Sequence, residues 1–141
     1  MIMIDFHFKS DLILENLSDY SDWVGRIIVS EGFSLGQIDY IFCTDDELLQ
    51  MNIEYLNHDT LTDIITFDYT VDKTISGDIF ISSDRVAENA SAFEVDFQNE
   101  LLRVMSHGIL HLAGYGDKTK DEKSKMRQKE EEKIKMFHVE P

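Results

Sequence analysis

Proline is missing from the chain except at its last position, Pro141, and cysteine occurs once, as Cys43. A lone cysteine excludes an internal disulfide. Its place in the apolar stretch 38–43 marks it as a buried, inert thiol. Basic residues are scarce, 13 against 28 acidic ones, for a net charge of −15. An acidic body repels phosphate, so nucleic-acid contact spread over the whole surface is excluded, although a local basic strip is not. No apolar run approaches the roughly 20 residues that cross a bilayer. The N-terminus, MIMIDFHFKSD, has no basic segment followed by an apolar one and does not read as a signal peptide. A cytoplasmic location is the default expectation. No linker, internal repeat or low-complexity block breaks the chain, so 1–141 reads as a single domain.

What is present is a globular composition, 43 % apolar over 141 residues, enough for a real core. Ile2, Ile4, Phe6 and Phe8 alternate as in a strand. Ser10 can cap a helix running to about Glu31, with Leu14, Leu17, Val24, Ile27 and Ile28 as its apolar stripe and Trp23 in the core. Strands are expected over 37–43, 62–69 and 75–82. Thr44 with Glu47 forms a capping box that opens a helix to about Tyr55. Ser83 or Asp84 caps a short helix to about Ala92, and 97–112 is a strong helix broken by Gly114 and Gly116. Eight of the 13 basic side chains fall in 118–135. That stretch reads as a solvated helix supported by Lys118–Glu122, Asp121–Lys125 and Glu131–Lys135 pairs at i, i+4. The layout implies an α+β domain, a small mixed sheet packed with about five helices.

The chemistry concentrates in His107-Gly-Ile-Leu-His111-Leu-Ala-Gly114-Tyr-Gly-Asp117. Histidines four apart on a helix share one face and can reach one ion. Gly114 tolerates the left-handed backbone that lets the chain turn back and bring Asp117 to the same ion. Two histidines and a carboxylate leave a fourth position open, the pattern of a catalytic zinc site at the end of a central helix. About one zinc per chain is expected, with another divalent transition metal as the alternative. The residue after His107 is glycine. Zinc proteases of the H-E-x-x-H type carry their general base there, so that class is disfavoured.

The segment HGILHLAGYGD resembles the H-G-x-L-H-L-x-G-Y-D-H signature of the YbeY family of bacterial rRNA-maturation endoribonucleases. Two further segments agree in order and spacing. Met51-Asn52…Tyr55…Asp59-Thr60-Leu61-Thr62-Asp63-Ile64-Ile65-Thr66-Phe67 is similar to the family's L-N-x-x-Y-R-x-x-D-x-P-T-D-V-L-S-F, and Ser76-Gly77-Asp78-Ile79-Phe80-Ile81-Ser82 to its L-G-D-I-x-I-S. The resemblance covers roughly residues 35–135. It implies a zinc-dependent, single-strand-specific endoribonuclease in rRNA maturation and ribosome quality control. It also implies contact with the small ribosomal subunit, where a basic ribosomal protein would suit the acidic surface.

Two positions depart from the family pattern. Its third histidine ligand is Asp117 here, which broadens metal choice toward harder ions. Its arginine after the tyrosine is Leu56, which cannot bind phosphate. His58, Arg103 and the basic strip are the candidates to replace it. Asp59 and Asp63 are read either as catalytic carboxylates, orienting a ligand histidine or acting as base, or as turn and cap residues. Asp78 reads as structural, and His7 and His138 as incidental. A metal would polarise a phosphoryl oxygen or activate water, and His107 and His111 are its catalytic carriers. The alternatives are a ribosome-assembly binding factor with a structural or vestigial metal site, and a metal hydrolase acting on a non-RNA substrate.

Overall fold

A computed structural model describes residues 3–58 and 61–139. Its elements run β1 (Ile4–Phe8), α1 (Leu17–Ser30), β2 (Ser34–Cys43), α2 (Asp45–Leu56), β3 (Ile64–Asp68), β4 (Thr74–Ser82), α3 (Ser83–Ala92), α4 (Phe97–Leu112) and α5 (Lys120–Phe137). The sheet order is β1-β2-β4-β3. β1 and β4 lie parallel to β2, and β3 runs antiparallel to β4. The sheet is therefore mixed and the class α+β, as the sequence implies. No helix among the described residues is long and apolar enough to cross a membrane.

Period-two patterning decides the layers. Ile38, Tyr40 and Phe42 of β2 and Ile75, Ile79 and Ile81 of β4 join one core with Trp23, Ile27, Leu101, Met105 and Ile109 of α1 and α4. Residues of the opposite parity, Cys43 and Ile65, pack on Leu48 of α2 in a smaller cluster. Burial there, with the negative field of Glu47, pushes the Cys43 thiol up to about 11. It stays protonated and unreactive at neutral pH.

Two glycines bring α4 close to the sheet. A Cβ at Gly108 would sit 3.0 Å from Ile79 Cγ2. One at Gly77 would sit 2.6 Å from the Phe67 carbonyl oxygen and 3.0 Å from Leu112 Cδ1. The Phe67 carbonyl belongs to the neighbouring strand and cannot step aside. Gly77→Ala is expected to cost about 1–3 kcal/mol, the range for forced overpacking. A urea titration would show it as a lower midpoint at an unchanged slope.

Three local expectations fail. α3 is capped by Ser82, whose hydroxyl accepts from the Arg85 amide, and not by Ser83 or Asp84. The first helix does not start at Ser10. Its first residue is Leu17, because Asn16 takes a left-handed backbone, φ 57°. Ser10 instead accepts a hydrogen bond from the Leu12 amide and bonds the Ser83 hydroxyl. On α5, Thr119 and Glu122 form a capping box, so Glu122 accepts from the Lys118 and Thr119 amides. Among the described residues none of the three expected i, i+4 ion pairs forms. Lys129 and Lys133 pair with Glu132 and with Glu31, the residue just after α1.

Candidate metal centre

α4 carries ten buried residues along its length, so its register on the sheet is fixed from Glu100 to Leu112. That register leaves His107 and His111 one turn apart on the exposed margin, their rings edge to face with centroids 4.7 Å apart. The helix ends at Leu112. Gly114 then adopts φ 105°, and the Tyr115 amide donates to the Leu110 carbonyl, folding the chain back. This turn delivers Asp117. Its Oδ2 lies 3.3 Å from Nε2 of His107 and 3.3 Å from Nε2 of His111. A tetrahedral zinc about 2.0–2.1 Å from each donor separates those donors by about 3.3 Å, so the three side chains fit such an ion. The same donor set serves other borderline divalent metals as well.

The sequence did not single out Glu130. It sits on α5, 2 % exposed, and its carboxylate lies 2.6 Å from His107 Nδ1. An ionised carboxylate only accepts, so the Nδ1 proton belongs to His107 and Nε2 keeps its lone pair facing Asp117. Such a carboxylate–histidine arrangement fixes the ring and makes its other nitrogen more basic, as a metal donor requires. Glu130 also lies 3.4 Å from Arg103, which makes a two-point ion pair with the buried Glu100 at 2.9 and 2.6 Å. Asp63 is the guanidinium's third acidic neighbour, at 3.4 Å. Burial alone would lower the Arg103 pKa, but the Glu100 bond and the surrounding carboxylates outweigh it and raise the value. Arg103 is therefore a permanent cation whose charge is met three times over.

A cleft of about 370 Å³ opens beside the donors. His107, His111, Asp117, Arg103, Asp63 and Leu56 all face it. The structure thus brings Asp63 to the site, bonded to Arg103 and not to His107 or His111. Asp59 lies outside the described residues. Leu56 presents an exposed apolar side chain to the cleft. His58 is exposed in the loop after α2 and does not line the cleft. Asp78 accepts a hydrogen bond from the Tyr69 hydroxyl, and the His138 ring meets Phe137 edge to face. His7 lies on the open face of the sheet, 3.0 Å from Asp39 and 3.7 Å from Asp5, an exposed histidine–carboxylate cluster.

The turn that carries Asp117 is itself anchored. Tyr115 donates to Glu31 at 2.7 Å, and Glu31 also receives Lys133 at 2.6 Å and Lys129 at 2.9 Å. Burial would raise the Glu31 pKa, but these three bonds prevail and hold it down at about 2.

Residues 9–138 match the family model described as Endoribonuclease YbeY. A Flavobacterium johnsoniae protein named Endoribonuclease YbeY is 55 % identical over 138 residues, spanning 98 % of this chain and 99 % of its own length. A Flavobacterium psychrophilum protein of the same name is 52 % identical over 137 residues, spanning 97 % and 98 %. A solution structure from Thermotoga maritima superposes with a TM-score of 0.71 at 27 % identity, covering 96 % of this chain and 89 % of its own.

Proposed function

This chain belongs to the YbeY endoribonuclease family, and on that premise we propose that it hydrolyses single-stranded RNA at the His107–His111–Asp117 centre with zinc as the working ion. The observation that carries the reading is the convergence of both Nε2 atoms on one Asp117 oxygen while Glu130 fixes His107 from behind. The biological role we assign is rRNA maturation and ribosome quality control in the cytoplasm. The partner is the small ribosomal subunit, and the acidic surface of the chain favours a basic ribosomal protein as the point of contact.

When bound, zinc supplies a Lewis acid that polarises a phosphoryl oxygen. The protein's own residues do the rest. His107, held by Glu130, and His111 keep their lone pairs on the cleft side. Asp63 stands on the cleft wall and, among the described residues, is the lining carboxylate outside the donor set. We assign it the proton transfer that hydrolysis requires, through a side chain whose position Arg103 fixes. Leu56 gives the rim an apolar surface against which a base or ribose can pack.

The test is cleavage of a defined single-stranded RNA before and after chelation, followed by return of zinc, manganese or magnesium. Cutting should stop with chelator and return with zinc first. Cutting that continues after the metal is removed to background would rule out this centre as the ribonuclease site.

A further inference from the structure

A second groove, of about 210 Å³, lies on the α5 side of the centre and shares His107, Asp117 and Arg103 with the first. Its outer wall carries Lys123 and Arg127, one helical turn apart and both exposed. We propose that Lys123 and Arg127 bind an RNA phosphate neighbouring the one that is cut, and so set the path of the strand away from the metal. This inference rests on the endoribonuclease reading and names how that same site holds its substrate.

Three observations converge on it. Among the described residues the first cleft has no cation to spare, because Arg103 is surrounded by Glu100, Glu130 and Asp63 and the place of the family's arginine is Leu56. Among the described residues neither Lys123 nor Arg127 enters an ion pair, whereas Lys129 and Lys133 on the same helix are bound to Glu31 and Glu132. Finally, the chain as a whole is at −15, so a polyanion depends on local positive charge, and the groove with Lys123 and Arg127 supplies it next to the donors. A strand crossing the metal has to leave the first cleft. On the α5 side a groove continuous with the donors presents unpaired positive charge to receive it. RNA carries a phosphate at every nucleotide, and Lys123 and Arg127 line the groove that shares His107 and Asp117 with the first cleft.

The experiment compares the wild type, Lys123→Gln/Arg127→Gln, and Lys125→Gln/Lys135→Gln. The last pair faces a different groove, beside Arg26, and changes the net charge equally. Binding of a labelled single-stranded oligoribonucleotide is followed across a salt series by anisotropy. Cleavage is measured on that oligonucleotide and on a dinucleotide with a single phosphate. The Lys123/Arg127 variant should bind about tenfold more weakly, with a salt slope shallower by about 0.7 for each phosphate that is no longer neutralised. Its turnover of the dinucleotide should stay at the wild-type level, and the Lys125/Lys135 variant should match the wild type throughout. Oligonucleotide binding that is unchanged in the Lys123/Arg127 variant, or equally weakened in both variants, overturns the subsite. Salt-sensitive binding that needs Lys123 and Arg127, in a wild type that cuts neither substrate, sinks the ribonuclease reading and leaves the subsite standing.

Discussion

His111→Ala should cut RNA at least about a thousandfold more slowly than the wild type and should purify without its metal. The magnitude follows from what a Lewis acid contributes to a phosphoryl-transfer barrier, several kcal/mol, at about 1.4 kcal/mol per factor of ten. The fold should survive. His111 lies on the exposed margin of α4, outside the buried stripe that docks the helix on the sheet. Glu130→Gln should fall between the two. Its amide oxygen still accepts from His107 Nδ1, but without the negative charge the imidazole is a poorer ligand, and metal affinity should drop by about 10–100-fold. Metal per chain by mass spectrometry, with cleavage rates from the same preparations, reads both effects. Full occupancy in His111→Ala would disprove the centre.

Glu31→Gln should destabilise the protein by about 3 kcal/mol at neutral pH. Removing one partner of a buried ion pair costs about 3–5 kcal/mol because the other charge stays behind without compensation. Here that charge is Lys133, 1 % exposed, and the lower end applies because Glu132 still reaches it at 2.8 Å. The pH dependence has a fixed sign. The Glu31 carboxyl titrates at about 2 in the folded state against an ordinary 4.5, so its contribution is complete above 4.5 and disappears as the pH falls from there toward 2. Wild type and Glu31→Gln should therefore differ most near neutrality and converge in acid. Urea titrations at several pH values check this, and a difference that grows toward low pH would contradict it.

Much of this was legible in the sequence. The histidine spacing, Gly114 and the Thr44–Glu47 cap are local signals, and the structure realises each as read, with the Thr44 cap closed at both hydrogen bonds. The start of α1 was not legible. Ser10 is a good cap residue in the abstract, but its hydroxyl is taken by the Leu12 amide, and Asn16 accepts a left-handed backbone that a helix cannot carry through. Glu130 was hidden for a different reason. α5 looks charged all round, yet its buried residues are Met126, Glu130 and Lys133, an inward stripe at helical spacing built mostly of ionised groups. Sequence reasoning assigns such residues to solvent. They are inside because α1 and α4 bring Glu31, Arg103 and His107 to meet them. The 126–130–133 spacing, running on to Phe137, was the signal available. The Thr119–Glu122 cap was also readable and marks the first turn of that helix.

The three donors fall within residues 107–117, one helix end and the turn that follows, whereas the carboxylate that steadies His107 arrives from Glu130, on α5. A site closed within eleven residues needs only a short loop, at low entropic cost, whereas the Glu130 contact spans 23 residues of sequence and needs the packing of α5. The donors are thus brought together locally, whereas the orientation of His107 depends on the packing of α5 against α4.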